Sequence, residues 1–199
     1  MLTVEAGDVA GVLRITGCPQ RDERGYFSRT LDPDELAGHG VELRRFLWSS
    51  TSRSYRGVIR GLHVRVSPGE AKIIGCARGR VFDVAVDLRP WSPTFLRHQS
   101  FLLDEDRVEH LYLPEGVAHG FQALTASADL TYRIDRRHAP QLERVIAPRD
   151  ADLGVAWPLA PATMSARDAA APGLAAVIDD LGEWFGRAVP VQEGEPCVP

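Results

Sequence analysis

The chain has 199 residues, 44% of them hydrophobic and 25% charged, a composition that excludes a disordered or fibrous protein and fits one domain with a substantial core. The net charge of −4 argues against broad nucleic-acid binding. No apolar run approaches the roughly 20 residues of a bilayer span, and residues 1–12 lack a basic segment followed by an apolar one, so the sequence predicts a cytoplasmic protein with no membrane partner.

In chain order, strand signals dominate the first three quarters. Val12–Ile15, Val58–Leu62, Lys72–Cys76, Arg80–Val86, Gln99–Leu103, Val108–Leu113 and Asp129–Ile134 are short and apolar or alternating. Turn residues separate them at Ser67-Pro68-Gly69, Arg78-Gly79, Pro90-Trp91-Ser92-Pro93 and Pro114-Glu115-Gly116. Many short strands at regular spacing predict an antiparallel sandwich or barrel. Asp32 is placed to cap a short helix opening at Pro33. From Gly173 the residues Leu174, Val177, Ile178, Leu181, Trp184 and Phe185 recur at helical spacing, predicting a C-terminal helix that packs on its own domain. One domain is therefore expected over 1–187, with a poorly ordered proline-bearing tail over 188–199. Cys18, Cys76 and Cys197 are odd in number and far apart, which predicts no disulfide framework.

Among the 23 basic residues only Lys72 is lysine, and asparagine is absent. A lysine is a compact, tunable ammonium, whereas arginine is a planar fork that keeps its proton, so one lysine in an arginine-writing chain marks a position to watch. Nine residues earlier His63 closes the apolar run Gly57-Val58-Ile59-Arg60-Gly61-Leu62-His63. Strict alternation sets Arg60 and His63 on opposite faces of a strand unless a bulge at Gly61 re-aims one of them. A His-x-His metal site is not expected: His63-Val64-Arg65 puts a cation where the second imidazole would stand, and His110 and His119 lie far along the chain. His119 is expected on a strand following the turn at Pro114, and Tyr132 on a strand of its own. Ser165-Ala166-Arg167-Asp168 reads as a helix cap or acidic loop.

Taken in order, Asp22–Phe27 (DERGYF), Gly57–His63 (GVIRGLH), Lys72, Gly79–Arg89 (GRVFDVAVDLR), Ser92-Pro93-Thr94, Pro114–Phe121 (PEGVAHGF), Tyr132, Pro140 with Glu143, Asp152–Pro158 (DLGVAWP) and Ser165–Asp168 resemble the dTDP-4-dehydrorhamnose 3,5-epimerase family of sugar-nucleotide enzymes. The resemblance runs from about Gly11 to Asp168. It implies an all-β, cupin-type antiparallel β-sandwich (jelly roll) with a few short peripheral helices. It also implies a homodimer that works without metal or organic cofactor on a dTDP-linked nucleotide-sugar substrate. It assigns His63 as a base oriented by Asp168, Lys72 as the cation beside a ketone oxygen, and Tyr132 as the phenol returning a proton to the opposite face. By the same resemblance Arg24, Arg60 and Arg167 contact the diphosphate, Phe27 the nucleobase, and His119 and His138 the substrate. Four departures stand out. Arg29 replaces a glutamate, Trp48-Ser49-Ser50 a Gln-x-Asn pattern, Arg65 a glutamine, and His138 a second tyrosine. Catalytic positions are thus kept while nucleotide-side positions differ, as expected of a specialised deoxysugar branch acting at C3, C5 or both. The alternative is a non-catalytic sugar-nucleotide or carbohydrate binding module on the same fold.

Overall fold

The computed structural model describes residues 1–186. Among these residues there are thirteen strands: β1 (Leu2–Ala6), β2 (Leu13–Gly17), β3 (Gln20–Asp22), β4 (Gly25–Phe27), β5 (Trp48–Tyr55), β6 (Ile59–Arg65), β7 (Lys72–Arg78), β8 (Arg80–Asp87), β9 (His98–Asp104), β10 (Glu109–Leu113), β11 (Val117–Ala123), β12 (Ser127–Ile134) and β13 (Glu143–Val145). They form an antiparallel sandwich. One sheet runs β1-β2-β10-β7-β12-β5, the other β13-β6-β11-β8-β9, and β3-β4 is a separate exposed hairpin. The expected all-β class and its few short helices are found: α1 (Pro33–Ala37), α2 (Ala166–Ala169) and α3 (Leu181–Trp184).

The period of two explains how the faces are filled. Along β8, Val81 and Ala85 point between the sheets, where they meet Ile74, Phe101, Leu111, Leu113, Phe121 and Leu130. Val84 and Val86 point outward and are covered by Leu62, Val64, Ile146, Leu153, Leu174, Val177 and Leu181. The outer face of the first sheet is covered by Leu36 of α1 and Val41, packed on Ile15 and Ile73. Each fully buried leucine, isoleucine or phenylalanine contributes about 1.5–3 kcal/mol relative to exposure. Asp32 caps α1 as expected, its carboxylate accepting from the Asp34 and Glu35 amides.

The C-terminal expectation needs correction. Instead of one helix, two 3₁₀ turns (Leu174–Ala176 and Ile178–Asp180) precede the single helical turn α3. Val177 leaves helical geometry (φ −128°, ψ −4°), breaking the run. A 3₁₀ turn also repeats its face every three residues, so the same apolar spacing serves both forms. The packing expectation holds, for Leu174, Val177 and Leu181 are buried against the second sheet. The tail expected over 188–199 lies outside the described residues.

Candidate active site

The interior between the sheets is apolar at the β9 side and opens, toward β5 and β13, into a cavity of about 530 Å³. Alternation decides what lines it. Because Leu62 and Val64 face outward, His63 and Arg65 face inward. Arg60 would face outward by strict alternation, but the β6–β11 register shifts: His119 lies opposite His63, while Phe121 lies opposite Arg60. Three residues of β6 thus span two of β11. The extra residue falls at Gly61 or Leu62, and Gly61 adopts φ +117°. A Cβ there would come within 2.6 Å of the Gly120 Cα and the His119 carbonyl, so only glycine fits. The bulge turns Arg60 and His63 into one cavity.

His63 Nε2 lies 2.7 Å from Asp168 Oδ1. Asp168 sits on α2, whose N-cap Ser165 Oγ accepts from the Asp168 amide, and its other oxygen accepts from the Gly61 amide at 3.4 Å. Burial alone would raise the Asp168 carboxyl, whose side chain is 3% exposed, but the hydrogen bond and charge of His63 with the Gly61 amide outweigh it and hold it below its ordinary value. An ionised carboxylate fixes Nε2–H as the donor and leaves Nδ1 as the basic nitrogen.

Tyr132 enters the cavity from the opposite sheet, on β12 beside Ser50 and Ile74. Burial pushes its phenol well above the ordinary range; the nearby Ser52 hydroxyl opposes this, Asp83 adds to it, and Arg60 opposes it. Its ring packs edge-on to His119, with centroids 6.0 Å apart. His119 is itself bound to the fully buried Asp83 through Nε2 at 2.7 Å, making a second His–Asp pair directly opposite His63. Asp83 faces inward from β8 by the same alternation as Val81 and Ala85. Lys72, on β7 opposite Ile134 of β12, reaches the cavity and pairs with Glu70 at 3.1 Å. Glu70 also approaches Arg65 at 3.7 Å.

The remaining expected residues divide. Arg60 lines the cavity and donates to Ser54 Oγ at 2.9 Å. His138 stands at the rim, paired with Glu143 at 3.0 Å. Glu143 also takes Arg167 at 3.0 Å, and Arg167 lines, with Asp168, an adjoining cavity of about 450 Å³ that shares Arg60 and His63 with the first. Arg24 and Phe27 are not brought to either cavity. They stand on the β3–β4 hairpin, Arg24 86% exposed and paired with Asp22, Phe27 78% exposed. Sequence reasoning missed Asp83, Glu70, Ser52 and Arg136 as parts of the site. The signal for Asp83 was available as a lone carboxylate inside the apolar run Val81-Phe82-Asp83-Val84-Ala85-Val86. Among the described residues, no three His, Cys, Asp or Glu side chains are grouped to hold a metal ion, and no helix is long and apolar enough to cross a membrane.

Comparison with known proteins meets this geometry. The family model described as dTDP-4-dehydrorhamnose 3,5-epimerase matches residues 6–176. The enzyme of that name from Mycobacterium tuberculosis is 41% identical over 172 residues, covering 83% of this chain and 84% of that one. The crystal structure of NovW, a 4-keto-6-deoxy sugar epimerase from the novobiocin gene cluster of Streptomyces spheroides, superposes with a TM-score of 0.85 at 38% identity, covering 90% of both chains. The Legionella pneumophila enzyme in complex with dTDP-4-keto-L-rhamnose superposes with a TM-score of 0.85 at 32% identity, covering 91% of this chain and 97% of that one. Matched along nearly its whole described length, the chain belongs to the dTDP-4-dehydrorhamnose 3,5-epimerase family.

Proposed function

We propose that this protein is an isomerase that inverts C3, C5 or both in a dTDP-linked 4-keto-6-deoxyhexose, with His63, Asp168, Lys72 and Tyr132 as its working set. One observation carries the reading: His63 projects from one sheet and Tyr132 from the other into a single cavity. A sugar ring held between them would present one face to an imidazole and the other to a phenol, which is what inversion of a carbon next to a ketone requires.

His63 Nδ1 takes the proton from the carbon beside the ketone. The C–H electron pair becomes the new C=C bond, and the carbonyl π pair moves onto oxygen. The ionised Asp168 stabilises the imidazolium that forms. The raised phenol of Tyr132 keeps its proton at neutral pH, so it stands ready to deliver it to the other face as the ketone re-forms. Solvent then restores the proton of Tyr132 and removes that of His63. No cofactor takes part in these steps. Arg60 and Arg167, at the junction with the second cavity, are suited to the diphosphate through their forked guanidinium groups, while His119 and His138 face the sugar.

Arg24 and Phe27 can serve this site only from a second copy. We infer a cytoplasmic homodimer in which they do so, with residues 1–187 acting as one domain. The exposed Tyr26, Phe27, Leu47, Trp48 and Tyr55 support an interface on the hairpin and the β5 edge. The test is incubation with dTDP-4-keto-6-deoxyglucose, followed by NMR of the sugar. Inverted product at C3 or C5 supports the reading; binding without turnover would make the chain a sugar-nucleotide binding module.

A further inference from the structure

The cavity contains a cation that the steps above leave unused. Arg136 follows β12 by two residues, in a bend, and lines the cavity together with Tyr132 and Ile134. Its guanidinium differs from the others there. Arg60 donates to Ser54 Oγ and the Arg53 carbonyl. Arg65 donates to the carbonyls of Pro68 and Arg137 and approaches Glu70. Arg136 has no hydrogen bond or ion pair to any described residue, and its Nε is buried without an acceptor.

A donor buried without an acceptor destabilises the fold, the more so when the group is charged. A fold that carries this cost keeps an uncompensated cation at the cavity wall. Lys72 is the reverse case. Its ammonium is held 3.1 Å from Glu70, both side chains being largely buried (14% and 12% exposed), so much of its field is cancelled. Position links the two, because Lys72 lies opposite Ile134, two residues before Arg136, and both line the same cavity.

We propose that Arg136 donates to the substrate's ketone oxygen as negative charge develops there, and that it supplies more of this stabilisation than the Glu70-compensated Lys72. This rests on the epimerase reading. The oxygen becomes anionic only when the neighbouring C–H bond breaks, so the interaction belongs to the transition state and acts on kcat, with little effect on KM. As the proton returns, the charge leaves the oxygen and Arg136 is released unchanged.

Deuterium incorporation from D₂O into the substrate, measured beside calorimetric binding of dTDP, tests this. Arg136→Met is expected to slow exchange by on the order of 100-fold, with dTDP affinity within about twofold, and Lys72→Met to cost less. Arg136→Gln keeps an N–H donor but loses the charge, and is expected to slow exchange about tenfold; it serves should the methionine variant fail to fold. Exchange at the wild-type rate in whichever variant folds overturns the proposal, as does a parallel loss of dTDP affinity or a larger loss from Lys72→Met. A wild-type protein that exchanges no hydrogen overturns the epimerase reading itself, and this proposal with it.

Discussion

His63 and Asp168 are 105 residues apart in sequence yet 2.7 Å apart in space. In the proposed reaction the carboxylate fixes which imidazole nitrogen is basic and steadies the ring once it has taken the substrate's proton. Asp168→Asn keeps the shape but offers an amide in place of the anion, so exchange is expected to fall by on the order of 10²–10⁴-fold, with dTDP affinity retained in a calorimetric titration. Unchanged turnover would show that His63 needs no such partner. Single residues of this kind were partly legible in the sequence. Lys72 stood out because it was the lone lysine, and His63 because it interrupts an apolar run. What spacing could not supply is pairing. That Asp83 holds His119 is a fact of sheet register, and that Glu70 compensates Lys72 while Arg136 is left without a partner depends on side-chain placement that spacing does not give.

At the scale of the element, the irregularity in β6 matters more than its regular part. A strictly alternating strand would send Arg60 out of the sandwich; the bulge at Gly61 turns it inward beside His63. Gly61→Ala places a Cβ on backbone at φ +117° and against Gly120 and His119, so it is expected to cost at least about 1–3 kcal/mol in a denaturant titration. The same change should lower dTDP affinity through misplaced Arg60. An alanine variant of wild-type stability and affinity would remove the bulge from the account. The sequence marked the glycine as the place where a bulge could form, but the choice between bulge and straight strand is made by pairing with β11. By contrast, β5 escaped notice because Trp48-Ser49-Ser50-Thr51-Ser52-Arg53-Ser54-Tyr55 has no apolar alternation. Ser49, Ser50 and Ser52 line the cavity and so meet no hydrophobic core. The C-terminal segment failed in the other direction, since its apolar spacing specified a buried face without specifying an unbroken helix.

Across the whole molecule, one buried group outside the site sets a pH limit. His110 is held neutral, burial and then Arg133 lowering it from its ordinary 6.5 to about 4. The unfolded chain binds this proton more readily than the folded one. The stabilisation is therefore complete above pH 6.5 and drains away as pH falls toward 4. Thermal melts of the wild type should lose midpoint temperature across that window, and His110→Gln should flatten the loss there; an equal slope in the variant would assign the acid sensitivity elsewhere. Assembly is the second question at this scale. The exposed Phe27, Tyr26 and Leu47 predict a sedimenting species of twice the chain mass, which Phe27→Ser should shift toward the monomer.

In the proposed reaction the two sheets present a base and an acid to opposite sides of one sugar ring, and Tyr132→Phe in D₂O tests this most directly. Removing the phenolic hydroxyl leaves His63, Asp168 and the cavity in place. The variant is predicted to continue exchanging the hydrogen beside the ketone for deuterium while forming almost no inverted sugar, because the proton can return only from the side on which it left. Inverted product at the wild-type rate, or exchange lost as completely as in His63→Ala, would contradict the division of labour between the two faces.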